Sequence, residues 1–145
     1  MHVQNILKSK GSDGVVTVKP ETPVSEAAMI LAEKRIGTVV VSSDGTHPDG
    51  ILSERDIVRE IAVGGAACLD KSVDRYMTSN LVTCGRTDTA DSVLKLMTDG
   101  RFRHMPVVEN GVLVGLITLG DVVKARLNEL AMERDALEGM ITNQW

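Results

Sequence analysis

The apolar positions of this chain fall into two rhythms, and each rhythm occurs twice. Val24, Ala27, Ala28, Leu31 and Ala32 recur at i, i+3, i+4, i+7 and i+8, which predicts an amphipathic helix over residues 24–35. Ala90, Val93, Leu94 and Met97 repeat the stripe and predict a second helix over 90–99. Short β-branched runs flank both. Residues 15–18 read as a strand closed by Pro20, and 38–42 and 50–52 read as two strands joined by the turn-rich segment 44–49. Ile57, Val58 and Ile61 mark a further helix that stops near Gly64-Gly65. In the later half, residues 81–84 read as a strand. Residues 105–108 and 112–117 read as a hairpin about Asn110-Gly111, a dipeptide suited to the positive φ angles of a tight turn. A long helix is predicted from Thr118 to about Gly139.

The order of elements is therefore doubled, and so are particular residues. Gly50-Ile51-Leu52-Ser53-Glu54-Arg55-Asp56 and Gly115-Leu116-Ile117-Thr118-Leu119-Gly120-Asp121 share one pattern: Gly, two aliphatic residues, a hydroxyl residue, any two, then Asp. Residues 15–18 fall on 81–84 and residues 23–27 on 89–93, while 37–41 fall on 104–108 at an offset of 67. A unit copied once, too small to bury its own hydrophobic face, predicts two half-domains sharing one fold. The expected partition is 1–66 for the first unit with its N-terminal segment, 67–78 for a linker, 79–128 for the second unit and 129–145 for a helical extension. The expected class is α+β, two β-α-β-β-α half-domains packed through their sheets about a pseudo-twofold axis.

Composition narrows the function. The 145 residues include one Phe, one Tyr and one Trp, so there is no aromatic platform for stacking nucleic-acid bases. The net charge of −4 lacks the concentrated basic face that phosphate backbones require. No apolar run is long enough to span a bilayer, the N-terminus does not read as a signal peptide, and Cys68 and Cys84 do not form a metal-spaced pair. A cytoplasmic protein with free thiols and no metal is expected. Gly-x-Ser-x-Gly, a phosphate loop with Lys-Ser/Thr, His-Glu-x-x-His and a Cys-His pair with a third partner are all missing from the sequence, so no catalysis is expected.

The heptapeptides carry two readings. Ser53 and Thr118 stand where a strand gives way to a helix, so each can cap that helix while Asp56 or Asp121, three residues on, closes a capping box. The same place presents unpaired amides and a positive dipole end to an anion. A short carboxylate there can also accept two hydrogen bonds from a vicinal diol. Arg101, Arg103 and His104 flank a strand of the second unit, with Lys124 one turn into the next helix. Arginine suits phosphate through its planar donor fork and fixed charge. Arg55, at the second position of its helix, reads most simply as a solvated side chain.

The doubled order, the heptapeptide pair, Tyr76-Met77-Thr78 and Arg103-His104-Met105-Pro106-Val107-Val108 resemble a tandem CBS-domain pair, or Bateman module, over about residues 3–127. The C-terminal phrase Asp135-Ala136-Leu137-Glu138 is similar to that of stand-alone bacterial members. The resemblance implies a non-catalytic sensor that binds an adenosine nucleotide (AMP, ADP, ATP or NAD(H)) in the cleft between its motifs and signals to an unidentified protein partner by a change of shape. Carried over residue by residue, it implies a second-motif site of Thr118 and Asp121 on ribose, Arg101, Arg103 and His104 on phosphate, and Val82, Thr83, Met105 and Pro106 around the base. It implies a first-motif site of Thr17, Val18, Ile36, Gly37, Thr38, Ser53, Arg55 and Asp56. Two alternatives stay open: S-adenosylmethionine as the ligand, and a structural or interaction module with empty clefts. The apolar stripe of the last helix, from Val123 through Leu127 and Leu130 to Met140, predicts a homodimer.

Overall fold

The computed structural model describes residues 1–11 and 14–143, so the last two residues of the expected 129–145 extension lie outside the described residues. In chain order the elements are α1 (Val3–Ser9), β1 (Thr17–Val18), α2 (Val24–Lys34), β2 (Thr38–Val41), β3 (Gly50–Ser53) and α3 (Glu54–Gly64). Two short 3-10 turns, Ala66–Asp70 and Val73–Arg75, lead to α4 (Ala90–Gly100), β4 (His104–Glu109), β5 (Val112–Thr118) and α5 (Leu119–Asn143). The chain thus folds as two mixed half-domains plus a long C-terminal helix.

In the first half β2 lies between β1, its parallel neighbour, and β3, its antiparallel one. All four residues of β2 are buried. Val39 and Val41 turn into the core with Val24, Ala27, Leu31, Leu52 and Ile57. Alternation puts Thr38 and Val40 on the other face, and their burial there is the signature of a sheet covered on both sides. The second half builds its core from Ala90, Val93, Met97, Met105, Val107, Ile117, Val122 and Ala125. Asn110 and Gly111 take φ of 52° and 80° and close the β4–β5 hairpin.

Three sequence expectations change. The register pairs Thr38 with Ser53 and His104 with Thr118, so Thr38, not Gly37, is the counterpart of His104. Backbone bonds agree: Glu54 N donates to Gly37 O and Leu119 N to Arg103 O. The offset in this region is therefore 66.

Residues 81–84 do not form a strand; they make one parallel bridge, Cys84 to Val107. In the first half Val40 N donates to Val16 O and Ser42 N to Val18 O. The second half keeps only the equivalent of the latter, Val108 N to Cys84 O at 2.8 Å. The missing donor belongs to Pro106, the counterpart of Val40, which has no N–H to offer Val82.

The third change concerns the flanking segments, which are exchanged. Helix α1, which the sequence partition places with the first unit, buries Val3 and Ile6 in the core of the second. Val73, from the linker, is buried in the core of the first. His2 bridges Thr89 as Ser72 bridges Pro23, so the exchange itself obeys the repeat. It also explains why both heptapeptides begin with glycine. A Cβ on Gly50 would lie 2.5 Å from Met77 Sδ and 2.9 Å from Thr78 O, and a Cβ on Gly115 would lie 2.7 Å from Leu7 Cδ2.

Candidate functional site

Each heptapeptide folds as a strand running directly into a helix. At the first, Asp56 N donates to Ser53 Oγ at 3.1 Å and Ser53 N to Asp56 Oδ2 at 2.9 Å. At the second, Asp121 N donates to Thr118 Oγ1 at 3.1 Å and Thr118 N to Asp121 Oδ2 at 3.0 Å. Both are reciprocal capping boxes with Asp in the role more often filled by Glu. The box satisfies two amides at each helix start and leaves carboxylate capacity over.

Two cavities lie beside these boxes. The first, of about 500 Å³, holds Ser53, Asp56 and Arg55 of the first half together with Arg101, Arg103 and His104 of the second. Arg59, Thr78 and Phe102 also line it, as do Glu54 and, from the second heptapeptide, Thr118, Leu119 and Gly120. The second, of about 580 Å³, holds Ile36, Gly37 and Thr38 of the first half together with Thr118, Leu116 and Lys10. Because the halves pack about a pseudo-twofold axis, each cavity draws on both of them, and the sorting into one set per motif is not the sorting the structure makes. The Ser53–Asp56 box faces the arginines that follow α4, and the Thr118 box faces the segment that follows α2. Both helices end in a left-handed arginine, Arg35 at φ 54° and Arg101 at φ 56°, which turns the chain toward the cavities.

Several residues expected at the site stand elsewhere among the described residues. Met105 and Pro106 are buried, Met105 in the second core, and neither lines a cavity. Val18 is buried in the first core, and its strand neighbours Val15 and Val16 line the second cavity in place of it and Thr17. Val82 and Thr83 are exposed and line neither cavity, the consequence of the ladder that Pro106 interrupts.

Lys10 and Arg59, by contrast, carry no repeat signal and were absent from the expected set. Arg59 Nη1 lies 3.4 Å from Asp56 Oδ1. Lys10 Nζ lies 2.8 Å from Asp121 Oδ2 and donates to Leu116 O at 2.9 Å. Burial pushes the Asp121 pKa up, but the Lys10 ammonium and the Thr118 N–H outweigh it and hold the carboxyl below its ordinary value.

His104 lines both cavities, and its Nε2 would lie 3.6 Å from a Cβ on Gly37. Burial drives its pKa below the ordinary imidazole value; Lys10 and Arg103 act the same way, and Glu54 and Asp121 oppose them. The ring is therefore neutral at pH 7 and offers one donor and one acceptor. Burial likewise pushes the Cys84 thiol up to about 12, with Asp88 and Glu109 adding to it, so this sulfur is not a nucleophile. Thr38 Oγ1 is buried without a hydrogen-bond partner among the described residues, on the wall of the second cavity. A buried hydroxyl of this kind ordinarily finds a partner. No group of three or more His, Cys, Asp or Glu suited to a metal occurs among the described residues.

A duplicated unit, β-α-β-β-α in the first half and lacking its first strand in the second, with a hydroxyl–carboxylate box beside each of two interdomain clefts defines a paired small-molecule-binding module. The CBS domain profile matches residues 11–63 and 73–128, and the chain belongs to the CBS-domain family. A CBS-domain containing protein of Agrobacterium tumefaciens is 50% identical and superposes with a TM-score of 0.81, over 87% of this chain and 99% of that one. A CBS domain protein of Pyrobaculum aerophilum, solved complexed with AMP, is 28% identical with a TM-score of 0.77, over 91% and 99% of the two chains. A CBS domain pair solved with 5′-methylthioadenosine and S-adenosyl-L-methionine is 25% identical with a TM-score of 0.76, over 86% and 98%. The mitochondrial CBS domain-containing protein CBSX3 of Arabidopsis thaliana is 31% identical over 96% of this chain and 71% of its own length.

Proposed function

We propose that this protein is a non-catalytic sensor that binds an adenosine nucleotide in the clefts between its two CBS motifs and transmits occupancy to a protein partner. The observation that carries the reading is the first cavity. It sets a carboxylate able to accept a ribose diol, Asp56, across from Arg101 and Arg103 of the other half, with Arg55 and Arg59 of its own helix beside it. Clustered guanidinium groups beside a diol acceptor match a phosphorylated nucleoside. The AMP carried by the Pyrobaculum relative supports the ligand class.

The ligand is AMP, ADP, ATP or NAD(H), with bound phosphate on Arg101 and Arg103 and the base against Ile51, Phe102 and Leu119. A thermal-shift panel of AMP, ADP, ATP, NAD, NADH and S-adenosylmethionine tests this. A true ligand at 100 times its dissociation constant stabilises the fold by about 2.7 kcal/mol. S-adenosylmethionine is the second reading, favoured by the relative that holds it. Arg103→Ala separates the two. It weakens AMP and leaves adenosine unchanged if phosphate is what the arginine meets, and equal losses for both assign it a structural role.

Transmission requires a surface. Val58 and Val63 on α3 are 65% and 80% exposed, and Leu127, Leu137 and Met140 on α5 are each 60% exposed or more. Apolar faces of this kind support a homodimer in which residues 127–140 contribute to the contact. Light scattering on the full chain and on a chain ending at Asn128 checks it: a full-length monomer at micromolar concentration rules the dimer out. The same reading places the protein in the cytoplasm, acting on a protein and not on nucleic acid or membrane; no helix among the described residues is long and apolar enough to cross a bilayer.

A further inference from the structure

The two repeated carboxylates are similarly exposed, 18% at Asp56 and 23% at Asp121, but they differ in what they face. Asp56 lines the first cavity, and its only ion pair among the described residues is with Arg59 from its own helix, at 3.4 Å with the arginine side chain 67% exposed. Asp121 lines neither cavity. Lys10 stands in its place on the wall of the second, and its ammonium spans Asp121 Oδ2 and Leu116 O. Asp121 Oδ2 already accepts the Thr118 N–H, so with Lys10 it holds two donors. A vicinal diol binding through both carboxylate oxygens cannot share that oxygen with a third. The cavity itself remains built for a ligand: Thr38 offers an unpartnered buried hydroxyl, Val15, Val16 and Ile36 offer an apolar wall, and Lys34 and Arg35 offer cations besides Lys10.

Lys10 is well placed to leave. It caps the C-terminus of α1, a helix of seven residues lying outside the matched profile, and Gly11 follows it at φ 58°. Its side chain is 30% exposed, so the ammonium can exchange a carboxylate for water at small cost.

We propose that Lys10 is a resident competitor for Asp121. It ranks the two cavities, so that nucleotide fills the Asp56 cavity first and enters the second only by displacing Lys10, which releases the end of α1. The inference rests on the nucleotide reading above and adds to it an order of filling and a segment that responds. Because α1 is packed into the second core through Val3 and Ile6, its release is a change that a partner protein can read.

The test uses the full chain with AMP as the probe. In an Asp56→Ala background calorimetry reads the second cavity alone. Lys10→Met there raises AMP affinity about fivefold, the exchange value of one partly exposed ion pair, and Lys10→Arg does not. In the otherwise native chain, amide exchange in residues 3–9 accelerates as the second equivalent of AMP binds. Unchanged or weaker affinity in Lys10→Met overturns the proposal and makes Lys10 a ligand contact. If the native chain binds AMP with equal affinity at both cavities, the ranking is overturned while the nucleotide reading stands. If neither the native chain nor Lys10→Met binds AMP at all, both fail together.

Discussion

The two heptapeptide boxes have the same backbone geometry and different electrostatics. Their paired hydrogen bonds agree within 0.1 Å, 2.9 and 3.1 Å at Ser53–Asp56 against 3.0 and 3.1 Å at Thr118–Asp121. What differs is the cation on each carboxylate. Asp56 meets Arg59, three residues along its own helix, and Asp121 meets Lys10, more than a hundred residues earlier in the chain. Duplication thus preserved what the strand-to-helix junction requires, a capped helix start, and left the cation to differ, one from the repeat's own helix and one from a segment outside the repeat. The pseudo-symmetry of the fold is a symmetry of backbone and core, and function can diverge at each copy without disturbing either.

The largest expected effect separates the boxes as binding sites. Asp56→Ala removes two charge-assisted hydrogen bonds to a ribose and weakens nucleotide at its cavity by about 3 kcal/mol. Asp121→Ala weakens the other cavity by about 2 kcal/mol, because the native ligand must first displace Lys10, which is worth up to about 1 kcal/mol. Both variants lose about 1 kcal/mol of stability with the cap. Calorimetry beside urea unfolding reads the two quantities separately. Affinity that falls only as far as stability does would leave both boxes as caps and nothing more.

The next effect tests whether the first glycine of each box serves the exchanged segment that crosses it. At Gly50 an added Cβ meets a backbone oxygen, Thr78 O at 2.9 Å, which bonds Ile51 N and cannot withdraw. At Gly115 it meets the tip of Leu7, a side chain that can rotate. Gly50→Ala therefore costs about 3 kcal/mol and Gly115→Ala about 1 kcal/mol, by urea unfolding. Equal costs would mean that the glycines serve strand geometry alone.

Much of this comparison was visible in the sequence because its determinants are local. The stripes Val24–Leu31 and Ala90–Met97, the Asn110-Gly111 turn and the two boxes each depend on residues within eight positions of one another. The rest depended on contacts no local window contains. Helix α1 has seven residues and buries only Val3 and Ile6, too few to register as a periodic face. The failed strand at 81–84 is set by a proline more than twenty residues downstream, whose missing N–H matters only once the parallel partner is known. The site was legible as a set of residue types and illegible as a partition. The repeated motif and the family resemblance place Asp56 and Arg103 near ligands, but only the packing of the halves puts them in one cavity. Lys10 carried no signal at all, since nothing near it in the chain hints at Asp121.

The smallest effect isolates the Lys10–Asp121 pair without any ligand. The Asp121 carboxyl is held below its ordinary value of 3.8 by Lys10 and Thr118, against its burial. A depressed folded-state pKa contributes stability that is fully present above the unfolded value and is lost as pH falls through the folded one. Lys10→Met removes one of the two groups holding it down. The native chain should therefore exceed Lys10→Met in unfolding free energy by about 0.5 kcal/mol at neutral pH, the scale of a partly exposed pair. That difference should shrink below about pH 4 as the carboxyl is protonated in both proteins. Arg59→Met serves as the control at the other box. Its side chain is 67% exposed and 3.4 Å from the carboxylate, so its ion pair is screened by water, and its unfolding free energy should follow that of the native chain at every pH. A difference that persists unchanged into acid for Lys10→Met would place the contribution of Lys10 in its bond to Leu116 O, and the carboxylate would then be open to ligands after all.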